Sequence, residues 1–205
     1  VTKDGNNNFN GSMNTGFSTY ITENKKNGEK IYIGLDPFGI NTNSDLKFSL
    51  SGPVIKDLIY FFTNFRTQDV NGHLNGIRRF EVWNLSNFYD QDSSKWFSEN
   101  TGDSSYVPMN TGKYTSFMGK LSLNLRNIKL ALMLNVNHSL SRGYSHIYKY
   151  NPDGRSYGDG WTSLSMFQLN HFLNERMFYD IKYSITDNDY GSYVFEDYNS
   201  YKILS

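Results

Sequence analysis

The chain has 205 residues, with 20 Lys+Arg against 20 Asp+Glu, no cysteine, 17% aromatic residues and a mean hydropathy of −0.60. Balanced charge with no basic run removes the electrostatic footprint of a nucleic-acid binder, and the absence of thiols excludes a disulfide framework and Cys-based metal sites. No apolar run reaches the ~20 residues of a membrane-spanning helix, and Val1 opens into polar sequence with no signal peptide.

Along the chain the dominant period is two, the signature of half-buried strands. Over 9–22, Phe9, Met13, Phe17 and Ile21 alternate with Asn10, Ser12, Asn14 and Ser18. Over 44–53, Leu46, Phe48 and Leu50 alternate with Asp45, Lys47, Ser49 and Ser51, and a tight Gly52-Pro53 turn is predicted to follow. Over 58–69, Ile59, Phe61 and Phe65 oppose Asn64 and Arg66. The next span, 114–126, sets Phe117, Leu121, Leu123 and Leu125 against Ser116, Lys120, Ser122 and Asn124. Over 128–141, Ile128, Leu130, Leu132, Leu134 and Val136 oppose Lys129, Asn135 and Asn137. The span 161–174 is mixed, with Phe167 and Leu169 against Gln168 and Asn170. The last, 176–190, alternates Met177, Tyr179, Ile181, Tyr183 and Ile185 with Asp180, Lys182, Ser184 and Thr186.

Short links near 52–57, 126–127 and 174–175 alternate strictly with long polar links over 23–43, 70–112 and 142–160. A meander that crosses a membrane does this, with tight turns on one side and long loops on the other. Lys47, Arg66, Lys120, Lys129, Asp180 and Lys182 fall on the polar side of their strands. The apolar sides of the second, fourth, fifth and seventh strands are expected to be free of charge. Since a Lys or Arg facing lipid at mid-bilayer costs roughly 2–4 kcal/mol, that segregation fits a membrane sheet. The expected fold is therefore all-β. It is an antiparallel up-and-down meander of about seven long strands, open, with one apolar convex face, as in part of a transmembrane β-barrel.

No catalytic constellation is present: there is no G-x-S-x-G elbow, P-loop or H-E-x-x-H. His73, His138, His146 and His171 are scattered, and only His138 and His146 flank one link. Asp90-Gln-Asp92 and Asp187-Asn-Asp189 have the oxygen-rich look of calcium ligands but lack the rest of a recognised loop, so solvated loop carboxylates are the expectation. Asn151-Pro-Asp-Gly154 predicts a β-turn with Gly154 in the left-handed position. Asp92 to Asn100 predicts a short capped helical turn. The loop aromatics Trp83, Phe88, Tyr89, Trp96, Phe97 and Tyr106 either stack a sugar or a flat siderophore or pack the loop. Trp83, Tyr89, Trp96 and Tyr106 are the candidate ligand contacts. No cofactor, metal or enzymatic activity is expected.

Val1-Thr-Lys3 with Gly5, and Ser49-Leu-Ser-Gly-Pro-Val-Ile55 followed by Tyr60-Phe-Phe62, carry a resemblance. Gly76-Ile-Arg-Arg-Phe80, Val107-Pro-Met-Asn110, Tyr148-Lys-Tyr-Asn-Pro-Asp-Gly154 and Val194-Phe-Glu-Asp197 extend it. In order and spacing these segments resemble TonB-dependent outer-membrane receptors, in the subfamily with a carboxypeptidase-regulatory-like N-terminal domain. The resemblance implies that residues 1–8 are the end of a plug and its junction with the barrel, and that 9–205 are a partial barrel. It implies a 22-stranded wall in the bacterial cell outer membrane. The partners it implies are outer-membrane lipid, the TonB complex acting through the plug, and a scarce nutrient (siderophore, cobalamin, glycan or peptide). The chain has no signal peptide, TonB box, plug or closing aromatic strand, and seven strands do not close an even-numbered barrel, so a fragment of a larger receptor is expected. The alternatives are a soluble β-sandwich carbohydrate-binding module, and an outer-membrane porin or adhesin without a plug.

Overall fold

The computed structural model describes residues 5–20, 25–35 and 43–195. Seven antiparallel strands form one sheet: β1 (Asn10–Ser18), β2 (Asn43–Ile55), β3 (Ile59–Asn71), β4 (Thr111–Asn124), β5 (Ile128–Arg142), β6 (Tyr157–Asn174) and β7 (Met177–Tyr193). Their spatial order is their chain order, a simple meander. Among the described residues there is no α-helix, only single 3₁₀ turns at Ser93–Lys95, His146–Tyr148 and Pro152–Gly154. Each expected strand is found. Several run further toward the long links than the alternation alone indicated, because backbone pairing continues where the side chains turn polar. The sheet does not close: β1 and β7 lie at its two ends. Val1-Thr-Lys3, Ile21 and the segment 196–205, with Glu196-Asp197, lie outside the described residues.

Because side chains alternate along a strand, the register decides what each face carries. One face holds the rows Gly52–Phe61–Leu121–Leu132–Phe167–Tyr183 and Met13–Phe48–Phe65–Phe117–Val136–Ser163. On β5 this face runs uncharged from Ile128 to Val136, about 27 Å of strand at ~3.4 Å per residue. Leu132, at the middle of that stretch, is 56% exposed, and Phe117, Leu121 and Leu134 are exposed beside it. The opposite face carries Lys47 paired with Arg66, and Lys120, Lys129, Asp180 and Lys182. There Asp45 accepts from Arg66 Nε at 3.0 Å and Nη2 at 2.9 Å, with Lys47 Nζ at 3.1 Å.

One expectation about the faces fails. Beyond Ile185, β7 continues through Asp187 and Asp189, which lie opposite Ser163 and Trp161 on the apolar face. Asp69, Lys113 and Asp159 occupy the same end of that face. On β3, β4 and β6 the strands outrun the apolar band, and a fixed period of two carries Asp69, Lys113 and Asp159 onto the same side at the long-link edge. On β7 the charge enters one step earlier, with Asp187 in the row of Phe117 and Val136.

The first hairpin also differs from expectation. Gly52 and Pro53 are not the turn; they pair with Phe61 and Tyr60 inside the ladder, with a register shift between Pro53 and Ile55. An irregular strand position suits a residue without an N–H. The chain reverses at Ile55–Leu58, where Leu58 N–H donates to the Ile55 carbonyl at 3.1 Å and Asp57 takes φ +61°. Gly52 has another reason to be glycine: the Phe9 ring lies on it, and a Cβ there would stand 2.5 Å from Phe9 Cδ1. The segment before β1 is clamped to the same hairpin. Asn7 Oδ1 accepts from the Asp57 N–H at 2.9 Å and from the Tyr60 hydroxyl at 3.0 Å, and Asn7 Nδ2 donates to the Asp57 carboxylate.

Candidate functional site

All three short turns lie at one edge of the sheet, so the three long links gather at the other. Two of them, 72–110 and 143–156, interlock into a cap. Asn75–Ile77 pairs with Tyr106–Pro108 as a short ladder. The next residues cross onto the second link: Ile77 N–H donates to the Lys149 carbonyl at 2.8 Å, and the Arg79 and Phe80 N–H groups both reach the Tyr150 carbonyl at 3.0 Å. Met109 (1% exposed) and Pro152 are the fully buried side chains under this crossing.

Two arginines brace it. Arg78 Nε donates to Asp153 at 2.6 Å, and its Nη1 donates to Asp103 at 3.1 Å and the Ser105 hydroxyl at 3.0 Å. The Asp153 carboxylate raises the Arg78 pKa above its ordinary value. Asp103 is lowered, chiefly because the Ser105 N–H and hydroxyl donate to its charged form, with Arg78 adding to this. Arg142, at the end of β5, is 5% exposed; its Nη1 donates to the Pro152 carbonyl at 3.0 Å and its guanidinium lies 4.3 Å from the Tyr157 ring centroid. Asp153 Oδ1, 3.8 Å away, compensates part of the buried charge, while the buried Arg142 Nε has no hydrogen-bond partner among the described residues. Gly102 completes the crossing, since a Cβ there would stand 2.3 Å from the Arg78 carbonyl oxygen.

The four candidate ligand contacts do not form one site. Tyr106 belongs to the short ladder and packs on Gly34. Trp96 sits at the end of the 3₁₀ turn, donates its indole N–H to the Asp90 carbonyl at 2.8 Å and meets Phe88 edge-on at 6.1 Å. Tyr89 is 97% exposed, and Trp83 is exposed as well. The helical turn expected after Asp92 is present as Ser93–Lys95, capped by Asp92 accepting from the Ser94 N–H.

The other polar candidates are engaged locally. Asp90 Oδ1 accepts from the Asp92 N–H, and Asp187 and Asp189 are strand residues rather than loop residues. His138 bonds Asp159 at 2.7 Å and His146 bonds the Tyr144 hydroxyl at 2.8 Å, so the two histidines have separate partners. His146 instead shares a cavity of about 150 Å³ with His73 and Lys149. Among the described residues no group of three or more His, Cys, Asp or Glu converges to hold a metal. The 151–154 turn is present, but Gly154 is not left-handed: it ends the 3₁₀ turn Pro152–Gly154, and its N–H donates to the Asn151 carbonyl and to Asn151 Oδ1, both at 3.1 Å.

A second cavity of about 460 Å³ opens on the cap, lined by Arg79, Phe80, Asn100, Gly102, Ser104 and Tyr150. The Arg79 guanidinium lies 4.6 Å from the Tyr150 ring centroid. Residue-type reasoning missed Arg78, Arg79, Arg142 and Met109, although Arg-Arg followed by Phe80 in a loop was a readable signal. Comparison with protein-family models, with curated proteins and with solved structures found no match.

Proposed function

We propose that the chain is part of the barrel of an outer-membrane TonB-dependent receptor, supplying membrane-facing strands and ligand-facing loops and catalysing no reaction. The observation that carries this reading is the sorting of charge between the two faces. On β5 one face offers an uncharged apolar stretch from Ile128 to Val136 whose length suits the ~25 Å apolar belt of a tilted barrel strand. Across the sheet this band is broken, at its Val136 row, only by Asp187 on β7, and the other face carries Lys, Arg and Asp. The strict alternation of short and long links supports it further. In this reading lipid covers the apolar face, and the nutrient is captured at the cap. The TonB complex acts through a plug docked where Gly5–Phe9 meets the first hairpin.

The lack of cysteine makes the test direct. Single cysteines at 132, 133, 134 and 135 of the full chain are labelled with an environment-sensitive fluorophore and reconstituted into lipid vesicles. Labels at 132 and 134 should be quenched by brominated acyl chains, and those at 133 and 135 by aqueous iodide. A soluble monomer whose labels at 132 and 134 are shielded without lipid would overturn the proposal in favour of a β-sandwich.

A further inference from the structure

We propose that the cap carries a binding site for a sugar bearing an oxyanion (carboxylate, sulfate or phosphate), centred on Arg79 and Tyr150. It rests on the receptor reading only in that such a sugar would be the cargo.

The contrast between two consecutive arginines carries the inference. Arg78 is bonded by Asp153, Asp103 and Ser105 and so is a structural brace. Arg79 has no carboxylate or hydrogen-bonding partner for its guanidinium among the described residues; its side-chain contact is the Tyr150 ring. Its backbone is nevertheless fixed, with its N–H shared by the Ile77 and Tyr150 carbonyls and its carbonyl accepting from Gly102. A guanidinium stacked on an aromatic ring keeps its planar fork of donors pre-organised, the arrangement suited to bidentate capture of a carboxylate, sulfate or phosphate.

The surroundings match that chemistry. None of the six lining residues is acidic, and Lys149 Nζ, 5.3 Å from the same Tyr150 ring, adds positive potential. The side chains of Asn100 and Ser104 make no hydrogen bond to a described residue, which leaves an amide and a hydroxyl for sugar hydroxyl groups. Phe80 supplies an apolar surface. Ser104 is held at φ +60° by its N–H bond to the Arg78 carbonyl at 2.8 Å, a conformation disfavoured for a non-glycine residue and enriched at functional sites. The volume of about 460 Å³ lies within the roughly 300–1,000 Å³ of small-molecule sites.

The test is calorimetric titration of the full chain in detergent micelles, at low salt, with glucuronate, glucose 6-sulfate, glucose 6-phosphate and neutral glucose. At least one charged sugar should bind tenfold or more tightly than glucose, and the tightest names the anion. Arg79→Ala should raise its Kd at least tenfold. Arg79→Lys, which keeps the charge and loses the fork, should fall between. Unchanged hydrogen exchange at the Ile77 and Ser104 amides in both variants shows that the cap is intact. Equal binding of glucose, no binding of any charged sugar, or an unchanged Kd in Arg79→Ala overturns the site. That failure leaves the vesicle labelling pattern unaffected, so it is separable from failure of the receptor reading.

Discussion

In the sheet, each strand is held along its length by a backbone ladder, and no single side chain decides whether it forms. In the cap, only a few backbone bonds cross between the two links, and Arg78, Arg142, Met109 and Pro152 add the side-chain contacts that hold the crossing together. The sheet should therefore tolerate substitution wherever face and charge are respected, whereas the cap should fail at single positions. Both regions expose large apolar side chains, Leu132 in the sheet and Tyr89 and Ile147 in the cap among them, but the cap also closes completely over Met109 and Pro152.

The sharpest way to break that comparison is Met109→Ala. Truncating a fully buried Met costs about 2–5 kcal/mol. The amides of Ile77, Arg79 and Phe80, which donate across the crossing, should lose exchange protection while those of β5 keep theirs. Arg78→Ala removes the bonds to Asp153, Asp103 and Ser105. Because Arg78 and both carboxylates are partly exposed, solvent screening leaves a net loss of about 1–2 kcal/mol, which should loosen the same amides by a smaller factor. Acid should do part of this without mutation. Asp103 has a lowered pKa, so its contribution is complete above the ordinary carboxylate value of about 3.9 and is lost as pH falls through the lower folded value. Exchange at Ser105 should then rise below about pH 4 and not between pH 5 and 8.

Asn7→Ala should have a more modest effect, about 1 kcal/mol, read as faster exchange at Asp57 with the rest of β2 and β3 unchanged. The smallest effect belongs to Tyr89→Ala. That side chain is 97% exposed, and its removal should shift stability by less than about 0.5 kcal/mol. If Tyr89→Ala unfolds the cap while Met109→Ala does not, the proposed division between brace and surface is wrong.

The same contrast explains what could be read in advance. Period-two alternation is a local signal, so Phe117 to Leu123 and Ile128 to Val136 announce both a strand and its two faces. Strand ends were less legible, because pairing persists through Asn71, Thr111, Tyr157 and Tyr193, outside the spans that the apolar pattern marked. The Gly52-Pro53 pair misled because both residues commonly mark turns; here Gly52 admits Phe9 and Pro53 sits beside a register shift. The cap was scarcely legible. Its bonds join residues as far apart as Arg78 and Asp153, and no local pattern links them. The aromatic candidates were chosen for residue type, and type alone does not distinguish Tyr106, a short-ladder residue that lies against Gly34, from Tyr89, 97% exposed outside the ladder.

The central claim is that lipid covers one face of the sheet, and paired charge insertion tests it most directly. Leu132→Lys and Asn135→Lys sit three residues apart on β5 but on opposite faces. Unfolding each variant from lipid vesicles should show Leu132→Lys destabilised by about 2–4 kcal/mol and Asn135→Lys by less than about 1 kcal/mol. Equal losses for the two, or a larger loss for Asn135→Lys, would contradict the membrane-facing assignment.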